Sequence, residues 1–353
     1  MTLLSPPDKT AEAAQIIARA RSARQARSLV VAVVLAVVVF ATFCVSLSLG
    51  DFKVPVLDVV KTLFGGGDRA TEFIVNQLRL PRALTGLLVG TALGLSGAIF
   101  QSIARNPLAS PDIIGVTYGA SAFAVFAIVT IGLTGAAVSA FAIVGAVLTA
   151  FLMYVLAWRH GVSSYRLILI GIGIGAIATS ITSYLLTKAR VEIAQQALIW
   201  LTGSLNGRDW SNVRSLAITL VVLLPVTAYL VGQLRILQLG DETAYGLGVR
   251  VEVARLGLIV VAVLFAAMAT AAAGPIGFVA FVAPPIARRL TRSPGPAMIA
   301  SGLLGALVVA VSDLIAQHAF GDTQLPVGVV TGVVGAPYLM FLLARANRVG
   351  SGG

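Results

Sequence analysis

The stretch Leu237–Val251, LQLGDETAYGLGVRV, gathers more reactive side chains than any other short segment of this chain: two adjacent acids, Asp241 and Glu242, beside a tyrosine and closely spaced glycines. Carboxylates can serve acid–base chemistry, yet no Ser/His/Asp set and no paired-carboxylate arrangement is legible elsewhere, so enzyme chemistry has little support. His160 and His318 lie far apart on unlike segments, and Cys44 is the single cysteine. Neither an intrachain disulfide nor a metal site is expected. The four lysines, Lys9, Lys53, Lys61 and Lys188, never follow a glycine. The G-K-[ST] end of a phosphate-binding loop is therefore missing, and the chain cannot hydrolyse ATP by that route. Asp313 stands inside an apolar run, which makes it a functional candidate by default. A proton-coupled carrier normally needs more such groups, or broken helices around an ion site. Asp313 thus reads first as structural, receiving hydrogen bonds near the outer end of its span, with a transport role as the alternative.

The elements that position these residues are apolar. The chain has 353 residues, 58% hydrophobic and 11% charged, with a formal net charge of +11. Its mean hydropathy is +0.96. A soluble domain of this composition would expose large sticky patches, and the class expected is an all-α membrane protein. About 20 apolar residues cross a bilayer. That ruler yields ten spans, near 28–49, 82–104, 115–133, 136–158, 165–187, 213–234, 255–273, 277–291, 297–316 and 326–344. Residues 1–27 carry Lys9, Arg19, Arg21, Arg24 and Arg27 ahead of the stretch Leu29–Leu49. This stretch is too long for a signal-peptide core and lacks an A-x-A cleavage pattern, so it reads as a retained helix.

With both termini cytoplasmic, 16 of the 25 lysines and arginines face inward, as the positive-inside rule asks. The basic excess is scattered between apolar runs, which argues against nucleic acid. The expected organisation is a basic segment 1–27, a ten-helix transmembrane domain 28–345 with a cytoplasmic loop at about 235–254, and a tail 346–353. Glycines recur at four-residue spacing at 86, 90 and 94, at 171 and 175, and at 328 and 332. Such ridges let helices approach closely, with packing inside one subunit favoured over a dimer interface. The outer segments 50–81 and 188–212 are long enough for short helices lying against the outer surface.

On this topology LQLGDETAYGLGVRV faces the cytoplasm. Asp241 can cap a helix beginning at Glu242, and Gly248 can end it. About one and a half turns is marginal alone and needs a partner groove. Two short helices separated by a turn would suit contact with a separate motor. The residues alone leave that knob and an ordinary capped loop equally open.

Several motifs occur in a fixed order: LRLPRALTGLLVGTALGLSGAIFQ (78–101), RNPLASPDIIGVTYGA (105–120), LGDETAYGLGV (239–249), GPIGFVAFVAPPIARR (274–289) and LPVGVVTGVVGAPYLMFLL (325–343). With them the chain resembles the FecCD-type (BtuC-like) permeases of type II ABC importers, which take up ferric siderophores, haem and vitamin B12. LTGSLNGRDW (201–210) and SDLIAQHAF (312–320) look most like the G subunits of ferric-enterobactin permeases.

The resemblance implies a multi-pass permease of the cytoplasmic membrane. Its pathway lies between two permease subunits, a heterodimer being favoured, and its partners are an ATPase dimer, a substrate-binding protein, a ferric siderophore and membrane lipid. Vitamin B12 or haem is the alternative cargo, and an ion-coupled carrier a more distant one. No cofactor is expected on this chain, since ATP and Mg belong to the ATPase, and no catalytic residue. By matching, Gly240, Asp241, Glu242, Ala244, Leu247 and Gly248 couple to the ATPase. Arg79 and Arg82 meet acidic residues of the binding protein, with anchoring of the span at the headgroups as the alternative. Asn106, Pro107, Leu108, Ser163 and Ser164 narrow the cytoplasmic end of the pathway. The chain departs from the family pattern at Gln317, where many members carry a docking arginine, at Gln324, where many have glutamate, and at Pro285 in place of a histidine.

Overall fold

The computed structural model describes residues 9–50, 54–63, 65–66, 68–159, 163–321 and 323–350, and of 9–15, 17, 56–57, 63, 164 and 342–350 the backbone alone. His160 and Lys53 lie outside the described residues. The long helices are α1 (Lys9–Ser48), α4 (Leu80–Ala104), α5 (Val116–Phe126), α6 (Ala136–Ala157), α7 (Ser164–Lys188), α9 (Trp210–Leu237), α11 (Val251–Ala273), α12 (Val279–Thr291), α13 (Met298–His318) and α14 (Val327–Gly350). Each coincides with one of the ten expected spans. Seven are long and apolar enough to cross a membrane; the α5 region, α12 and the described apolar part of α14 are shorter.

The second span differs from expectation. It starts at Arg69, as α3 (Arg69–Phe73), passes through a wider π-helical turn at Ile74–Arg79 and runs on as α4, 36 residues in all. The cause is Pro81, which has no N–H to give the preceding turn and whose ring would clash with the carbonyl there. Widening the turn lets the rod continue. The outer segments hold α2 (Val56–Leu63), α3 and α8 (Val191–Leu201).

Helix α4 is the central post, 78% buried over its apolar window, with α11 at 72%. α1, at 11%, touches the bundle by one stripe, where Leu35 packs on Ala283, Ala287, Ala300 and Leu304. The glycine ridge of α4 explains the close centre: a Cβ at Gly90 would strike the carbonyl of Gly305, and one at Gly94 that of Ser301, both on α13. Backbones in lipid approach this closely only where side chains are absent. This ridge therefore serves packing within the subunit.

Between α11 and α12 the chain is non-helical at 274–277. Backbone at such depth must be covered by protein. The LTGSLNG segment does so: Ser204 N–H donates to the Ala273 carbonyl at 2.7 Å, Gly328 N–H donates to that of Gly203 at 3.1 Å, and Gly203 abuts Pro275.

Candidate coupling and docking sites

Helix α10 (Asp241–Gly246) is the short helix of the LGDETAYGLGV segment. Gly240 precedes it at φ 115°, a backbone that suits glycine, and no side chain caps its first turn. The expectation that Asp241 caps a helix beginning at Glu242 is corrected here. Asp241 is already the first helical residue, because its carboxylate is drawn sideways to Arg255, whose Nη2 donates to Oδ2 at 2.8 Å. With both partners charged, this bond takes the carboxylate away from the N–H groups of the first turn. The far end is as expected: Gly248 turns left-handed at φ 81°, and the Val249 N–H donates to the Ala244 carbonyl at 3.0 Å, closing the helix in a Schellman-type turn. A second short helix is absent, since the chain re-enters helix directly at Val251 as α11.

Ala244 is fully buried and seats the knob, whereas Glu242 and Gly248 are exposed. Leu239, Tyr245 and Leu247 are 64, 58 and 60% exposed. They form an apolar tip around Glu242. Leu239 and Tyr245 were missed in the sequence, although an aromatic in an otherwise polar loop is a recognisable signal of contact.

At the C-terminal end of α4, Arg105 breaks the helix at φ 49°. The turn that follows is closed by the Leu108 N–H donating to Asn106 Oδ1 at 2.9 Å. Pro107 and Pro111 prevent helix from resuming until α5. Ser163 caps α7, its Oγ accepting from Arg166 Nε at 3.0 Å and from the Arg166 N–H at 3.4 Å. Ser164 opens α7, and its side chain lies outside the described set. A cavity of about 280 Å³ lined by Ile103, Ala104, Arg105, Ser163, Leu237, Asp241 and Arg255 brings the end of α4, the start of α7 and the α9–α10–α11 junction together. Arg105 Nη2 donates to the Leu237 carbonyl at 2.6 Å and lies 3.5 Å from Asp241 Oδ1. Arg255, its side chain 8% exposed, also pairs with Glu252 at 3.2 Å. Only the Glu252–Arg255 spacing of one helical turn hinted at this network.

A second enclosed carboxylate escaped the span-by-span reading. Asp112, in the segment between α4 and α5, accepts from Thr117 Oγ1 at 2.8 Å on one oxygen, while its buried Oδ2 has no hydrogen-bond partner among the described residues.

Near the N-terminal end of α4, Arg82 grips Asp313 with both arms, Nε to Oδ2 at 3.1 Å and Nη2 to Oδ1 at 2.9 Å. Gln317 Nε2 donates to Asp313 Oδ2 at 2.7 Å, and Gln324 Oε1 accepts from Arg82 Nη1 at 3.4 Å. The two glutamines that depart from the family pattern thus flank one ion pair. Arg79 turns to the end of α1, donating from Nη1 to the carbonyls of Leu47 at 2.8 Å and Ser48 at 3.4 Å. Both arginines are half-buried. Pro285 is buried within α12.

The chain matches the FecCD transport family over residues 35–345. It is 45% identical over 290 residues to the ferric enterobactin transport system permease protein FepG of Escherichia coli strain K12, covering 82% of this chain and 88% of that protein. With the iron(3+)-hydroxamate import system permease protein FhuG of Bacillus subtilis strain 168 it shares 37% identity over 330 residues, 91% of this chain and 98% of that one. Among solved structures, a metal-chelate type ABC transporter in an inward-facing conformation superposes with a TM-score of 0.78 at 27% identity, covering 90% of this chain and 99% of that one. The seven long apolar helices and these relatives make the protein a multi-pass transport component of the inner membrane. A shared motif order, fold and near full-length similarity lead to one assignment: the chain belongs to the FecCD transport family.

Proposed function

We propose that this chain is the permease subunit of an ATP-driven ABC importer of ferric siderophores, forming one half of a pathway at the interface with a second permease. The observation that carries the coupling is α10: a short helix with an apolar exposed tip, anchored by Asp241 to Arg255 and facing the same cavity as Arg105 and Ser163. Such a knob fits a groove on a separate ATPase and passes on its closure as rigid-body motion. Similarity to permeases for ferric enterobactin and ferric hydroxamates supports the cargo class.

Arg79 and Arg82 receive the binding protein as guanidinium groups already oriented by α1 and α13. Orientation of this kind lowers the ordering cost of docking. Gln317 offers no positive charge, so a partner permease bearing a cation there completes the docking surface. This favours a heterodimer.

Mass spectrometry of the complex gently solubilised from its own membrane tests the reading. An ATPase with a second, different permease is the expected result. An ATPase with this permease alone removes the heterodimer. Absence of any ATPase, under conditions that retain other ABC complexes, overturns the importer. Ligand binding by the cognate binding protein separates ferric siderophore from vitamin B12 or haem.

A further inference from the structure

We infer that Arg105 is the positioning residue that transmits movement of the cytoplasmic knob to the Asn106–Leu108 turn, an inference that rests on the permease reading above.

The two salt bridges of Asp241 are unequal. Its bond to Arg255 is 2.8 Å with an arginine only 8% exposed, while its contact with Arg105 is 3.5 Å with both side chains about half exposed, 48 and 47%. A buried, short, charge-assisted bond holds, whereas an exposed long one yields readily. Helix α10 is thus clamped to the base of α11, and the two move as one body. Arg105 engages that body differently. Its shortest contact, at 2.6 Å, is the carbonyl of Leu237, which also accepts from the Gly240 N–H at 3.2 Å, at the end of α9, where the helix dipole attracts cations. Its guanidinium therefore sits on the hinge between α9 and α10, with Asp241 as a second, releasable point.

The backbone of Arg105 completes the link. It is the left-handed residue that ends α4, at φ 49°, a conformation that a non-glycine side chain adopts only when its surroundings impose it. The next residue begins the turn closed by Asn106 and Leu108. A tug on the guanidinium acts on the torsion that aims this turn. The adjoining cavity of about 280 Å³ leaves the side chain room to follow, and α4 itself is held by its close contacts with α13. Motion of the knob is thereby passed to the turn rather than to the helix.

The test uses the full transporter, with its ATPase and second permease, in inside-out vesicles. Leu108→Cys in a Cys44→Ser background reports the turn through its reaction rate with a water-soluble maleimide, with and without Mg-ATP plus vanadate. The rate is expected to change with nucleotide in this parent. Arg105→Gln should abolish the change with the ATPase still bound, and Arg105→Lys should restore part of it. Chelate delivered per ATP hydrolysed should fall about tenfold in Arg105→Gln, a typical size for coupling between sites. An unchanged nucleotide response in Arg105→Gln overturns the inference, as does loss of the bound ATPase in that variant, which would make Arg105 a docking residue. A parent that never binds an ATPase refutes the importer reading itself and is distinguished by that.

Discussion

Asp313 illustrates how a single residue acquires meaning from a distant one. Its carboxylate is 3% exposed and is matched by the two arms of Arg82, 231 positions away. Removing one member leaves the other charge buried and unpaired, at a cost of about 3–5 kcal/mol, whereas replacing both by apolar residues of similar size costs far less. Asp313→Ala is therefore expected to lower stability by about 3 kcal/mol, and Arg82→Met with Asp313→Leu to recover most of it, as read by thermal unfolding in detergent. Equal losses in single and double variants would refute the pairing as the cause. Asp209, which caps α9, makes a smaller contribution. Its carboxyl is held below the usual range chiefly by the Ser211 hydroxyl and by backbone N–H groups of Ser211 and Asn212. A depressed carboxyl stabilises the fold above its unfolded pKa, and that contribution fades as pH falls through the folded value. Asp209→Ala should cost about 1 kcal/mol at neutral pH, with the gap to the parent narrowing in acid.

Among the elements, the crossing of α4 and α13 depends on the absence of a side chain. Gly90 and Gly305 leave no space for a Cβ between their backbones, while a Cβ at Gly332 on α14 meets nothing within 4 Å. Gly90→Leu is expected to abolish recovery of monodisperse protein from detergent and Gly332→Leu to leave it intact. Identical yields would remove the ridge as the organiser of the bundle. Helix α10 calls for a different measurement, because its six residues contribute little stability and much surface. Leu247→Ala and Tyr245→Ala should each weaken ATPase binding by about 2 kcal/mol, without changing thermal stability. The spacing of Gly240 and Gly248 made this element legible in the sequence. Its true start, one residue earlier than the capping pattern implied, depended on Arg255, fourteen positions along.

For the whole molecule, the uneven burial of the helices separates those facing neighbours within the chain from those facing outward. α7 and α9 are only 22 and 28% buried over their apolar windows, with α1 lower still. These surfaces are left for lipid or a partner permease. The positive-inside bias of the sequence leads us to expect the Arg105, Ser163 and Asp241 cluster at the cytoplasmic face. Cysteines placed at residue 239 and at residue 214 should therefore react with impermeant maleimide from opposite sides of the membrane. Reaction of both from one side would invert or break the ten-span topology.

Hydropathy and ordered motifs were enough to determine the all-helical membrane class, the family and the positions of the long helices, seven of them long and apolar enough to span, because bilayer thickness and the cost of unpaired backbone in lipid act on local composition. The same locality predicted the Gly248 stop. Tertiary structure alone decided which distant groups meet: Arg82 with Asp313 and Gln324, Arg105 with Leu237 and Asp241, and Arg255 with Asp241. Within this bundle polar groups pair across neighbouring helices, as Arg82 does with Asp313, as well as along their own, as Gln317 does with Asp313. Sequence distance carries almost no information about that geometry, and the close crossings permitted by glycine are what bring these pairs within reach.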